Sequence, residues 1–307
     1  MGNKILFIFN PNSGKGKIKN SLFEIIDRFT DAGYDVTVYP TKHANDCERK
    51  IQSCATKYDL VVISGGDGTL NEAVNGMLRI EKESRVPIGY IPSGTMNDFA
   101  STNNIPPSPI AAVEEIINGK RINYDIGNFN GKPFIYVAAF GAFTDVSYAT
   151  PQINKNIFGP AAYFVEGLKS LPKIKGINTK IITDTNEVIE TNASLVMIMN
   201  STSVAGFTFG EFYDIDTSDG IFEIAIIPKS VNILDLPIIL AGIHNGEKEA
   251  NGARIISAKS AKIITDEPVK WTLDGEYGGE YDTVDFEVNH NAVKFVCKTK
   301  NLGGNNG

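Results

Sequence analysis

Leu60-Val61-Val62-Ile63-Ser64-Gly65-Gly66-Asp67-Gly68-Thr69-Leu70-Asn71-Glu72 runs from an apolar stretch through a glycine-rich turn into a helix start. The short apolar, β-branched run leading into glycines reads as a buried strand. Three glycines let the backbone curl tightly and approach a ligand with no Cβ in the way. Amides at such a turn and helix N-terminus form an anion site, and phosphate is its natural ligand. Asp67 would repel a bare phosphate, so the phosphate is expected to arrive with Mg²⁺, held by Asp67 directly or through water. The plainer alternative is a tight strand-to-helix turn whose aspartate caps the helix.

Outward from this turn, the first third of the chain alternates strand and helix signals. Strands are expected at 4–9, 34–39, 60–63 and 86–91. Helices are expected at 18–29, closed by Gly33, and at 44–58, 70–78 and 109–117. This βαβα order implies a doubly wound parallel sheet, whose ligands bind at the carboxyl ends of its strands. The grammar changes near residue 126. Strands at 122–129 and 134–140 flank an Asn130-Gly131 hairpin turn. Further strands are expected at 179–183, 194–199, 221–227, 261–265, 270–273, 285–288 and 293–297, with helices at 161–171 and 231–243. The expected fold is therefore α/β plus all-β. Residues 1–126, joined by 290–307 if the chain end returns, form a nucleotide-binding domain. Residues 127–289 form an antiparallel β-sandwich, with the active site in the interdomain cleft.

The formal net charge of −7 argues against a nucleic-acid partner, because phosphate backbones are held by clustered Lys and Arg. Cys47, Cys54 and Cys297 have no CxxC spacing and read as free thiols in a reducing cytosol. The apolar run 5–9 is too short for a signal-peptide h-region, and Leu6 disfavours myristoylation. The stretch 233–243 is interrupted by Asp235 and Pro237 and falls short of the roughly 20 residues of a membrane span.

Two more loops follow strands at the same sheet edge. Asn10-Pro11-Asn12-Ser13-Gly14-Lys15-Gly16, with Lys17 beyond it, does not match the P-loop pattern and reads either as a plain turn or as a phosphate contact. Pro92-Ser93-Gly94-Thr95-Met96-Asn97-Asp98-Phe99-Ala100 reads either as a helix cap or as nucleotide contacts from Thr95 and Asn97, with Asp98 beside Asp67. In this order and spacing, NPxSGK, GGDGTxNE and PxGTxNDFA resemble the bacterial diacylglycerol kinase family, which is related to sphingosine and ceramide kinases. The resemblance continues through Tyr124-Asp125-Ile126-Gly127, Ser147-Tyr148-Ala149-Thr150-Pro151, Asp219-Gly220 and Leu273-Asp274-Gly275-Glu276-Tyr277-Gly278-Gly279.

That resemblance implies ATP- and Mg²⁺-dependent transfer of the γ-phosphate to diacylglycerol, giving phosphatidic acid. It places Asn10, Pro11, Asn12, Ser13, Gly14, Thr41, Gly66, Asp67, Gly68, Thr69, Leu70, Asn71, Glu72, Thr95 and Asn97 along the nucleotide. It makes Asp67, Asp98 and Asp125 an acidic network around the catalytic Mg²⁺. It puts a structural Mg²⁺ on Asp219 and on backbone carbonyls near Asp216 and Ile221. It implies work at the inner membrane face by a cytoplasmic protein, and admits a homodimer. Asp274-Gly275-Glu276 alone is a hairpin turn with solvated carboxylates. With the resemblance, Glu276 becomes the general base, and Asp274 shares or tunes that role through charge repulsion.

Asp214 to Gly220 looks like a Ca²⁺ loop but fails the EF-hand pattern, with glycine one place late and Ala225 at the twelfth position. Lys169, Lys173, Lys175 and Lys180 beside apolar residues read either as a solvated face or as a patch for anionic lipid. Competing functions are kinases for phosphatidylglycerol or a sphingoid base, an NAD kinase sharing GGDGT, and a non-catalytic nucleotide sensor. A sensor has no use for a general base.

Overall fold

The computed structural model describes residues 3–16, 18–141, 175–201, 203–204, 207–208, 216–231, 249–250 and 252–298. The helix expected at 161–171, most of that at 231–243, the segment 147–151, Lys17, Lys169, Lys173, Asp214 and the tail 301–307 lie outside them. The chain divides into two compact units, residues 1–124 with 291–307 and residues 125–290.

In the first unit, β1 (Asn3–Phe9), β2 (Tyr34–Pro40), β3 (Leu60–Gly65) and β4 (Ile88–Pro92) are parallel, in the order β2-β1-β3-β4. β1, β3 and β4 are buried along nearly their whole length, as continuous apolar runs in a sheet covered on both faces must be. Helix α1 (Ile18–Asp31) packs on α5 (Pro109–Asn118), while α2 (Asp46–Cys54) packs on α3 (Asp67–Leu78). A five-residue α4 (Asp98–Thr102) follows β4. The strand order reverses between β1 and β3, which places the carboxyl ends of these two strands at the topological switch point where open α/β sheets bind ligands. The last residues of the long final strand return here: Phe295 pairs beside Ile88, and its ring lies 4.5 Å from Phe99 and 5.3 Å from Tyr124.

The second unit is antiparallel. β5 (Lys120–Phe129) begins in the first unit, and its later residues form a hairpin with β6 (Lys132–Phe134) through Asn130 and Gly131, both with positive φ. β7 (Val137–Gly141), β8 (Ile177–Thr183) and β9 (Val188–Met199) follow; β10 (Ser203–Val204) and β11 (Phe207–Thr208) make a separate short ribbon. β12 (Phe222–Pro228), β13 (Glu249–Ala250), β14 (Ala253–Ala258), β15 (Ser260–Leu273) and β16 (Glu276–Cys297) complete the described strands.

Both β9 and β15 pair with β8 along one part and with β7 along another, giving the path β13-β14-β12-β9-β7-β15-β16. Phe222 on β12 and Phe286 on β16 sit far apart on that path, yet their rings are 5.6 Å apart. The sheet therefore folds over on one shared core around Phe134, Phe140 and Trp271. The layers of the expected sandwich are one continuous sheet rather than two separately bonded ones. Among the described residues no helix is long and apolar enough to cross a membrane. Lys175 and Lys180 are paired with Glu267 and Glu190 on the surface.

Candidate active site

Three loops meet at the carboxyl ends of β1, β3 and β4. The Asn10 N–H donates to the Ser64 carbonyl (2.9 Å), and the Ser93 N–H donates to the Gly65 carbonyl (2.8 Å). Asn10 Oδ1 accepts the Asn12 N–H (3.0 Å), folding the loop back on itself, and Asn10 Nδ2 lies 3.5 Å from Thr69 Oγ1. Thr41, at the end of β2, is tied to the same corner by its N–H on the Phe9 carbonyl. Ser13 and Gly14 lie in a short 3-10 turn, and Pro11 precedes it.

Two glycines make the close stitching of these loops possible. Gly14 has φ +55°, and a Cβ there would collide with the Ser93 carbonyl oxygen. A Cβ on Gly94 would lie 2.5 Å from the Gly66 Cα. Backbone amides at such a junction present themselves without side-chain obstruction.

Helix α3 starts at Asp67, three residues earlier than expected from the sequence. The Thr69 and Leu70 N–H groups already turn back to the Gly66 carbonyl. The N–H groups of Asp67 and Gly68 precede the first intrahelical bond and carry the positive end of the helix. Gly68 is exposed, with open space around its Cα.

Asp67 is the electrostatic centre of this unit. Burial raises its carboxyl to about 6, the Asp98 carboxylate adds to the rise, and backbone N–H groups at residues 97–99 oppose it. Asp98 opens α4 and is only 4% exposed. Two neighbouring carboxylates, the hard oxygen donors of Asp67 and Asp98, suit a divalent cation.

The other expected nucleotide residues divide. Thr95 is exposed. Asn97, at φ +54°, has its amide committed to the loop: Oδ1 accepts the Gly94 N–H (2.9 Å) and Nδ2 donates to the Gly94 carbonyl (3.1 Å). Leu70 is fully buried in the core. Asn71 is bonded to Asn75 along the helix. Glu72 reaches across to α2, where its carboxylate accepts the N–H groups of Asn45 and Cys47 and so caps that helix.

In the second unit, Asp125 is fully buried. Its carboxylate accepts the Gly220 N–H (2.6 Å) and faces His290 Nδ1 (3.1 Å), while its own N–H donates to the Thr217 carbonyl. Asn200 Nδ2 donates to the Asp125 carbonyl. The 216–221 loop is therefore anchored on Asp125. Within the loop, Asp216 accepts from Ser218 and Asp219 accepts the Ile221 N–H. Burial raises the Asp219 carboxyl, as do the neighbouring Asp216 and Asp125 charges, against the Ile221 bond.

Among the described residues no three His, Cys, Asp or Glu side chains converge as a metal cluster. A cation here would lean on backbone oxygens. Glu223, which the sequence reading did not single out, is 9% exposed, and its carboxyl is raised to about 7 by burial and then by Asp219. It lies between Phe222 and Ile224 on β12, whose two faces are both buried there.

Asp274 and Gly275, at φ +49° and +83°, form the two-residue turn joining β15 to β16, and Leu273 pairs with Glu276 across it. Asp274 is 8% exposed and its carboxylate accepts three consecutive N–H groups: Ile135 (2.7 Å), Tyr136 (3.0 Å) and Val137 (3.1 Å). Glu276 is exposed. The two carboxylates thus sit in unlike surroundings.

The sequence profile of the diacylglycerol kinase catalytic domain matches residues 4–129. A diacylglycerol kinase of Staphylococcus saprophyticus is 35% identical over 282 residues, 91% of this chain and 91% of that one. One from Staphylococcus aureus strain MRSA252 is 36% identical over 282 residues, 91% of this chain and 88% of that one. The crystal structure of a candidate diacylglycerol kinase from Bacillus anthracis str. Sterne matches with a TM-score of 0.82 at 25% identity, covering 97% of this chain and 98% of that one.

Proposed function

The chain belongs to the diacylglycerol kinase family, ATP-dependent phosphotransferases to an alcohol group, and from that premise we propose how its own residues divide the reaction. The loops at Asn10–Gly14, Gly66–Thr69 and Ser93–Thr95 receive the phosphates of ATP. The observation that carries this is their mutual stitching at the switch point, beside the half-buried Asp67 and the buried Asp98. The hydroxyl oxygen of diacylglycerol bonds to the γ-phosphorus as the bond to the β-phosphate oxygen breaks, and ADP leaves. The hydroxyl proton passes to the exposed carboxylate of Glu276, which returns it to solvent. The reading requires that the phosphate held by the first unit come within reach of the Glu276 turn of the second.

Asp67, with Asp98, would hold Mg²⁺, which neutralises phosphate charge when bound. The Asp219 carboxylate, with backbone oxygens near Asp216 and Ile221, would hold a second, structural Mg²⁺. Its raised proton affinity is relieved by a cation. Asp219→Ala is expected to lower the melting temperature measured in millimolar Mg²⁺ and to abolish its dependence on Mg²⁺. A Mg²⁺-induced rise equal to that of the parent protein would remove the site.

Diacylglycerol stays in the bilayer, so the protein works as a peripheral enzyme at the membrane surface. The deciding experiment supplies labelled ATP and Mg²⁺ with diacylglycerol in mixed micelles containing anionic lipid, and runs NAD in a parallel tube. Labelled phosphatidic acid is the expected product. Labelled NADP without phosphatidic acid would overturn the lipid assignment.

A further inference from the structure

The two carboxylates of the Asp274-Gly275-Glu276 turn do different work, and we propose that Asp274 is a positioning residue that aims Glu276 and takes no proton itself. The inference rests on the kinase reading above. Between β6 and β7 the backbone leaves its ladder at Ile135 and Tyr136, and the N–H groups of three successive residues, 135 to 137, turn to one point. Such a run of amides forms a concave anion site. The occupant is the protein's own Asp274, with Oδ2 on Ile135 and Oδ1 shared by Tyr136 and Val137.

The bond network is closed on both sides. The Asp274 N–H donates to the Val137 carbonyl (2.8 Å), and the Tyr136 hydroxyl donates to the Asp274 carbonyl (3.2 Å). Five hydrogen bonds thus fasten a two-residue turn to a segment nearly 140 positions earlier in the chain. A carboxylate whose lone pairs meet three N–H donors is a poor proton acceptor, because protonation would set an O–H against those donors. Only an acceptor-only group satisfies all three, so asparagine is not equivalent here: its NH₂ must face one of the N–H groups. Two residues on, Glu276 stands exposed at the first position of β16, with its orientation set by the turn.

The test compares Asp274→Asn, Tyr136→Phe and Glu276→Gln with the parent protein in the micelle assay. Asp274→Asn is expected to lower kcat by about 10- to 10²-fold, with KM for ATP within about threefold and the acidic limb of the kcat–pH profile still present. Tyr136→Phe, which loosens the same turn by one bond, is expected to lower kcat by a smaller factor with the limb also retained. Glu276→Gln is expected to lose the limb. In parallel, hydrogen exchange should speed up at the amides of 135–137 in Asp274→Asn and stay unchanged in Glu276→Gln. Loss of the acidic limb in Asp274→Asn, or unchanged exchange at 135–137, would overturn the assignment. If the parent protein makes no phosphatidic acid, the kinase reading fails instead, and the exchange comparison still decides whether Asp274 fastens the turn.

Discussion

Glu276→Gln is expected to lower kcat by roughly 10²- to 10⁴-fold while leaving the melting temperature within a degree or two. The side chain is exposed, and among the described residues no side-chain hydrogen bond ties it into the unit, so an amide costs the fold little. In the reaction the amide cannot accept the hydroxyl proton, and the alcohol must attack without general-base help. KM for ATP should change little, because the loops proposed for the nucleotide belong to the other unit. The measurement is a kcat and KM pair beside a thermal melt of the same preparation. Turnover within threefold of the parent would take Glu276 out of the chemistry.

Asp67→Asn is expected to be more stable than the parent and nearly inactive. The carboxyl of Asp67 is raised in the folded protein from an ordinary value of 3.8 to about 6. The folded state therefore binds a proton more tightly than the unfolded state across that window. Stability falls as pH rises through it, and the full penalty is present above pH 6. A shift of about two units corresponds to on the order of 3 kcal/mol, an upper figure for a partly exposed group. Asp67→Asn should melt several degrees higher at pH 8, with the advantage fading near pH 4. Millimolar Mg²⁺ should narrow the gap at pH 8 by stabilising the parent alone. Turnover should fall at least 10²-fold. A variant that melts below the parent at pH 8 would show that Asp67 is not under electrostatic strain.

Much of the first unit is legible because its strands are buried on both faces and write themselves as unbroken apolar runs, as at Leu60–Gly65. The second unit is harder to read. Pro268 and the glycines at 278 and 279 look like strand breaks, yet β15 and β16 run through them with register shifts after Ile264 and Trp271. Bulges absorb the interruption, and no local rule announces them. β14 gave no usable alternation and was absent from the sequence reading.

At the candidate site, the loops were visible because glycine and small polar residues cluster after strands. The jobs of individual side chains were not. Glu72 caps a helix whose capped residues precede it by 25 and 27 positions, and Asn97 is consumed by its own loop. Asp274 could be read as a turn residue or as an acid. Only the fold shows three distant amides converging on it, since contacts across such separations leave no local trace in sequence.

The return of the chain to the first unit has a consequence for biogenesis. Phe295, which packs on Phe99 and Tyr124 and pairs beside Ile88, is separated from Tyr124 by the whole of residues 125–290. At about 5–20 residues per second, a ribosome takes on the order of ten to thirty seconds to deliver that intervening stretch. Throughout that interval the nascent first unit holds its aromatic corner and the flank of β4 without the segment that covers them. A chain stalled anywhere before residue 291 therefore exposes the kind of surface that chaperones and proteases recognise.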